Sequence, residues 1–155
     1  MPKIDLTLTE GAIPQDKLAE LPGQMAATLL KWEGAPDTDF FRAVSWTHVR
    51  ELPADAVHTA DGVAEHPHFV AEVSVPEGAL SDRRRAGLVE EVTKLIADAA
   101  GLEDEQALLV WVLVREIDEG SWGAGGQIIR FEQLREAAAA EREKSEAEEK
   151  APVAS

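Results

Sequence analysis

The sequence contains no cysteine, which excludes disulfide bonds, thiolate metal sites and cysteine nucleophiles. No apolar run approaches the length of a membrane span. The N-terminus also lacks the basic-then-apolar pattern of a secretory signal. We therefore expect a cytoplasmic protein without a membrane partner.

Positive charge is scarce, with 15 Lys and Arg against 30 Asp and Glu and a formal net charge of -15. Nucleic-acid phosphates are bound by clustered Lys and Arg, so no nucleic-acid partner is expected. Much of the acidity lies in residues 132–155, predicted to be an acidic tail that is helical and passes into disorder. Arg83–Arg85 are interpreted as exposed charges at a helix start.

The chain carries the same pattern twice, about 67 residues apart. Three pairs of segments show it: residues 2–13 and 69–80, Gly34 and Gly101, and Trp46–Glu51 and Trp111–Glu116. A repeat fixes the building unit, which here has about 60 residues. We predict a single domain over residues 1–131, made of pseudo-repeats 1–66 and 67–131.

The first repeat predicts a strand, a helix and a second strand. Polar and apolar residues alternate over residues 3–9, which is the pattern of a half-buried strand. Pro14 suits the first turn of a helix that ends at Gly34. Pro22–Gly23 should kink this helix or delay its regular start. The second strand is predicted at residues 41–49.

The second repeat follows the same order. After a predicted loop over residues 53–67 with a turn at Asp61–Gly62, a strand is expected at residues 69–75. Ser81 is predicted to cap a helix, which Gly101 ends. The last strand, residues 107–114, is apolar almost without alternation, which predicts cover on both faces.

Each repeat is therefore a β-α-β unit with parallel strands and a right-handed crossover. Two units side by side predict an α/β (α+β) fold, with a four-stranded sheet and two helices on one face. The opposite sheet face then needs cover, so we expect an oligomer that associates through its sheets.

A glycine-rich segment follows the last strand. Gly123, Gly125 and Gly126 permit positive φ, and Trp122 supplies an apolar face. A phosphate-binding loop would precede a helix and carry a Lys-Ser/Thr pair. This segment precedes the short apolar piece Ile128–Ile129 instead, which favours a tight hairpin.

Together these motifs resemble the tautomerase superfamily, typified by 4-oxalocrotonate tautomerase. The resemblance covers residues 2–130 and rests on four features: the β-α-β unit, Met1–Pro2 before a strand, Glu10–Gly11 at its end, and the aromatic-Gly-x-Gly-Gly hairpin at Trp122–Gly126. Longer members with two fused units form trimers, so the resemblance implies a homotrimer.

The resemblance also implies a catalytic role for Pro2. In the family the initiator Met is removed and the exposed proline acts as general base. A free α-amino group has a pKa of roughly 7.7–8, and an apolar pocket lowers it towards neutrality. A base whose pKa lies near the working pH transfers protons best.

The family arginines are not found at their usual positions. The position after Glu-Gly, where an arginine holds a substrate carboxylate, is Ala12 in the first repeat and Ala79 in the second. Family members carry a second arginine in the strand before the hairpin. Aligning the two Val-Arg-Glu segments of this chain puts Trp46 at that position, and a small gap would make Arg42 the counterpart. These departures count against dicarboxylate substrates and against the dehalogenase and decarboxylase branches.

Five residues are therefore predicted to bind substrate. Arg42 and Arg130 are the cationic candidates for stabilising an enolate-like charge. Trp122 matches a family aromatic that keeps the pocket dry, and plain hairpin packing is an equal alternative for it. Trp46 occupies the arginine position, and His48 is a minor candidate for an acid or hydrogen-bond donor.

Other polar residues are interpreted structurally. Arg50 and Arg115 recur in both repeats and are expected to pair with the neighbouring Glu51 and Glu116. His66–His68 lacks a third ligand, so no metal is predicted.

The sequence thus predicts a cofactor-free tautomerase or isomerase that moves a proton in a small enol or keto acid. A hydratase-like activity on unsaturated acids is one alternative. A non-catalytic trimeric binding or assembly module is the other, and Ala12 and Ala79 favour it. Pro2 is replaced by Phe69 in the second repeat, which predicts one site per chain.

Overall fold

The computed structural model describes residues 2–151, so Met1 and its removal, together with residues 152–155, lie outside the described part. The strands are β1 Lys3–Thr9, β2 Trp46–Leu52, β3 His58–Thr59, β4 Gly62–Val63, β5 Phe69–Pro76, β6 Val110–Ile117, β7 Gly123–Ala124 and β8 Gln127–Ile128. The helices are α1 Gln15–Glu33, α2 Asp39–Ala43, α3 Asp82–Ala100 and α4 Phe131–Lys150. Single 3-10 segments cover Ala54–Ala56 and Asp104–Leu109.

The central sheet has four strands in the order β2-β1-β5-β6. β1 runs parallel to β2 and β5 runs parallel to β6, whereas β1 and β5 pair antiparallel with Lys3 opposite Ser74. Two β-α-β units therefore lie side by side in opposite directions, which confirms the predicted fold.

Helices α1 and α3 cover one face of this sheet. Alternate residues of the two central strands point towards the helices and are fully buried: Ile4, Leu6, Leu8, Phe69, Ala71, Val73 and Val75. The other face is open, because Trp46 is 58% exposed and Trp111 is 62% exposed. Within the single chain only one face of the last strand is covered, and cover of the other face by association through the sheets stays a prediction.

The two long helices end as their glycines predict. Gly34 and Gly101 follow α1 and α3 with φ of 71° and 65°, a left-handed conformation that glycine adopts without a Cβ penalty. The Ser81 side chain accepts a hydrogen bond from the Arg84 N–H and caps α3. Helix α1 runs without interruption through Pro22, so its regular start is not delayed.

The second strand of each repeat, β2 or β6, begins later than predicted. Thr38 caps the short helix α2, whose Phe41 is buried, and β2 starts only at Trp46. The 3-10 turns of residues 104–109 likewise precede β6. A short apolar run fits a helical turn as well as a strand. Burial of Phe41 accounts for the turn before β2, whereas none of residues 104–109 is buried. The predicted 53–67 loop contains the small hairpin β3–β4, whose turn is Ala60–Asp61, one residue earlier than predicted, with Gly62 as the first residue of β4.

The acidic tail forms helix α4 as far as Lys150. Phe131 at its start is only 7% exposed, and its N–H donates to the Glu119 carboxylate at 3.0 Å. No helix among residues 2–151 has the length and apolarity to cross a bilayer.

Candidate active site

Pro2 lies buried at the edge of the sheet where β1 begins. Its carbonyl accepts a hydrogen bond from the Trp46 N–H at 3.3 Å. Since Lys3 pairs with Ser74, continuing the antiparallel register places Pro2 opposite Val75 and next to Pro76. The same edge therefore contains the start of β1 and the end of β5.

A cavity of about 410 Å³ opens beside Pro76. Five elements line it: the end of α1, the short helix α2, the loop after β5, the first turn of α3, and α4. Its apolar wall includes Phe41, Pro76, Ala79, Phe131 and Leu134, and its charged groups are Glu33, Glu77, Arg84, Arg135 and Arg142. An apolar pocket with a few convergent charges is the usual form of a small-molecule site.

Two of the arginines bind the C-terminal end of α1. Arg84 Nη1 donates to the Glu33 carbonyl at 3.3 Å, and Arg142 donates to the Gly34 carbonyl. A Cβ added to Gly34 would lie 3.3 Å from the Arg84 guanidinium, so the glycine lets this group approach. Cations are favourable at a helix C-terminus, where carbonyls lack intrahelical partners.

Glu33 is the last residue of α1 and lines the same cavity. Burial of its carboxyl raises the pKa to about 7. A buried carboxylic acid without a close cationic partner prefers its neutral form. Near neutral pH this group can therefore both give and accept a proton.

The predicted cation Arg42 lies on α2, outside this cavity. Its guanidinium makes two hydrogen bonds to the Asp37 carboxylate, at 2.6 and 2.9 Å. This hydrogen bonding holds the pKa of Asp37 below its usual value. Arg42 is thus paired and exposed in the single chain.

Trp46 and His48 lie on the open face of the sheet. The Trp46 indole donates to the Ala43 carbonyl at 3.0 Å and stacks on the His48 ring with centroids 6.1 Å apart. His48 Nδ1 lies 3.3 Å from the Asp5 carboxylate. Neither side chain lines the cavity beside Pro76.

Trp122 and Arg130 flank the β7–β8 hairpin. Gly125 and Gly126 form its turn with φ of 61° and 77°, which confirms the predicted tight hairpin. Trp122 is half-buried, and Arg130 lies 3.4 Å from the Glu119 carboxylate. The five predicted substrate residues are thus not brought together within one chain, and they stay predictions for an assembled oligomer.

Arg50 and Arg115 pair across strands rather than with their sequence neighbours. Arg115 lies 2.8 Å from the Glu72 carboxylate, and Arg50 lies 3.6 Å from that of Asp5. Successive residues of a strand point to opposite faces, so the predicted pairing of each arginine with the glutamate that follows it is wrong.

The charged groups of the cavity were missed by sequence reasoning. Arg84 was assigned to an exposed helix start, and Arg135 and Arg142 to a solvated tail. One signal was available, because Phe131, Leu134, Arg135, Ala138 and Arg142 follow helical spacing and so share one face. Within residues 2–151, no group of three or more His, Asp and Glu side chains is arranged to hold a metal ion.

Residues 70–132, most of the second repeat, match the family model described as tautomerase enzyme. A search of curated protein sequences gives no match. The family match therefore covers the repeat that lacks the N-terminal proline.

Solved structures share the fold over most of the chain. A member of the cis-3-chloroacrylic acid dehalogenase family, N1, is 21% identical, with 93% of this chain and 99% of that chain covered and a TM-score of 0.70. A macrophage migration inhibitory factor from Oncomelania hupensis is 12% identical, with 98% and 99% covered and a TM-score of 0.71. A fused 4-OT, F6, described as an asymmetric trimer, is 19% identical, with 81% and 94% covered and a TM-score of 0.67.

At these identities the structures show the fold alone. The match over the second repeat and the shared fold together confirm the resemblance to the tautomerase superfamily, and the chain is a tautomerase-fold protein made of two fused β-α-β units.

Proposed function

We propose that this protein is a cofactor-free tautomerase that moves a proton in a small enol or keto acid, with Pro2 as general base once Met1 is removed. The observation that carries the proposal is the arginine-bearing cavity at the edge of the sheet where β1 begins. It offers an apolar wall and cationic groups beside Pro76. Pro2 is not one of its lining residues, but the β1–β5 register puts Pro2 opposite Val75, the residue before Pro76.

The two proton-handling groups differ in kind. The secondary amine of Pro2 would take a proton from the enol hydroxyl or the α-carbon of the substrate. Glu33 in its neutral form would give a proton to the other end of the conjugated system. Both groups then exchange protons with water before the next turnover, so no proton is gained or lost overall.

Arg84 would stabilise the enolate-like charge that develops between these steps. It is held by the end of α1, with its guanidinium bonded to the Glu33 carbonyl. A cation fixed in advance needs little reorganisation when charge develops, which is the usual source of electrostatic catalysis.

The proposed assembly is a homotrimer that associates through the open sheet face. Exposed Trp46, Trp111 and Leu113 lie on this face, and large exposed apolar patches mark interaction sites. Fused 4-OT structures of the same fold are described as trimers, one asymmetric and one symmetric. In such an assembly, Arg42, Trp46, His48, Trp122 and Arg130 could reach the cavity of a neighbouring subunit.

A non-catalytic binding module is the competing proposal, since Ala12 and Ala79 stand where family members carry an arginine. Intact mass gives the first discrimination, because a retained Met1 would leave the Pro2 nitrogen as an amide without a basic lone pair. Processed protein is then assayed for ketonisation of phenylenolpyruvate.

We expect Pro2→Ala to lower kcat/KM by about 100-fold or more, the range of general acid–base catalysis. Pro53→Ala, which alters an exposed proline before a 3-10 turn, is the matched control and should keep wild-type rates. Equal rates for wild type and Pro2→Ala would refute the role of the proline, and absence of turnover in processed wild type would favour the binding module.

A further inference from the structure

We infer that the C-terminal helix α4 is part of the substrate site, and that its Arg135 and Arg142 bind the substrate carboxylate. These arginines would replace the one that is absent at Ala12 and Ala79. The inference rests on the proposed function for the nature of the ligand, but it can be tested by binding alone.

Helix α4 is fixed where it meets the domain. Phe131 is buried, and its N–H donates to the Glu119 carboxylate at 3.0 Å. Further along, Arg142 donates to the Gly34 carbonyl, so the helix is tied to α1 three turns later. The cavity lies between these two attachments.

Charge is segregated around α4. The helix contains seven glutamates, at positions 132, 136, 141, 143, 146, 148 and 149, and none of them lines this cavity. Both of its arginines do line it. A helix whose arginines served only solubility would have no reason to place both on the one face that borders an apolar cavity.

The arginines retain capacity for an anion. No salt bridge joins Arg135 or Arg142 to a carboxylate among residues 2–151. Arg142 uses one N–H on the Gly34 carbonyl, and a guanidinium has five N–H donors. Three arginines and two glutamates line the cavity, so it carries an excess of positive charge that suits a carboxylate even when both glutamates are ionised.

A purely structural role for Arg142, as a cap on α1, makes a different prediction. Loss of the cap would lower the stability of the protein and affect every ligand alike. Loss of a carboxylate contact would affect only ligands that carry the charge. Comparison of an acid with its ester therefore separates the two roles.

The experiment compares phenylenolpyruvate with its methyl ester in wild type, Arg135→Gln, Arg142→Gln and the double variant. We expect the double variant to raise KM for the acid by about 10-fold or more, since hydrogen bonds to charged groups are among the strongest. KM for the ester and kcat for both substrates should change little. Arg142→Lys should recover part of the affinity for the acid.

Arg83→Gln is the matched control, because Arg83 is an exposed arginine next to Arg84 that does not line the cavity. It should leave both KM values unchanged. Thermal unfolding of each variant separates a loss of binding from a loss of fold, and the ester kinetics report on any variant that is destabilised.

Calorimetric binding of cinnamate, an unreactive carboxylate, separates this inference from the proposed function. Binding by wild type and by Pro2→Ala, with at least a 10-fold loss in the double arginine variant, supports the inference even if the protein turns over neither substrate. No binding to wild type, equal affinity of wild type and the double variant, or equal losses for acid and ester would overturn it.

Discussion

Glu33 gives the fold a pH-dependent weakness that can be measured without knowing the substrate. Burial raises the pKa of its carboxyl to about 7 in the folded protein, against a usual value of 4.5. The folded state therefore binds this proton more tightly than the unfolded state does. The stability that follows is fully present below pH 4.5 and is lost as the pH rises through 7.

The size of this loss follows from the difference between the two pKa values. At 1.36 kcal/mol for each pKa unit, the difference corresponds to a loss of up to about 3 kcal/mol by pH 8.5. Glu33→Gln keeps the shape of the side chain but cannot ionise. We expect the free energy of unfolding of this variant to lack this part of the decline, so that it exceeds that of wild type above pH 7.

Urea denaturation followed by tryptophan fluorescence, at fixed protein concentration from pH 5 to 8.5, measures the difference. Glu90→Gln is the matched control, because Glu90 is an exposed glutamate of α3, and its curve should run parallel to that of wild type. If the Glu33→Gln curve also runs parallel to wild type across this range, the carboxyl is not held in its neutral form by burial.

Two further predictions concern packing and assembly. A Cβ at Gly87 would lie 2.1 Å from the Trp32 ring, so Gly87→Ala should lower the free energy of unfolding, measured by urea denaturation, by about 1–3 kcal/mol. A Cβ at Gly23 would meet nothing within 4 Å, so Gly23→Ala should instead raise it by about 0.5–1 kcal/mol. Equal effects of the two substitutions would refute the close approach of Trp32 to Gly87. Trp111→Lys on the open sheet face should lower the mass measured by light scattering below that of a trimer of the 16.8 kDa chain. Phe40→Lys, which alters an exposed aromatic residue of α2, should leave this mass unchanged. An unchanged mass for Trp111→Lys would contradict association through this face.

The fold was largely predictable from sequence because its signals are local. Strand β1 alternates residue by residue, Ser81 caps α3, and glycines at positions 34 and 101 stand where each long helix needs a left-handed residue. Each signal depends on a few neighbouring residues and on backbone conformation. The duplication then predicted two like units side by side in one sheet, because the same local signals recur in the same order; it did not predict that β1 and β5 pair antiparallel.

The starts of β2 and β6 were predicted too early because no local signal marks them. Phe41 is apolar enough to extend a strand, yet it packs from the helix α2 into the edge of the cavity. Hydrophobic pattern alone does not distinguish these outcomes. The choice depends on which surface of the fold is available to bury the side chain.

The sequence by itself therefore determined the duplicated β-α-β architecture, the helix ends and the singular position of Pro2. The tertiary structure decided which groups line the cavity at the same edge of the sheet. Glu33, Arg84 and Arg142 come from three helices that are distant in sequence, and only the antiparallel pairing of the two units and the return of α4 bring them to one edge. Helical spacing puts Arg135 and Arg142 on one partly apolar face of α4. No local pattern shows that this face meets the end of α1, because that contact joins segments distant in sequence.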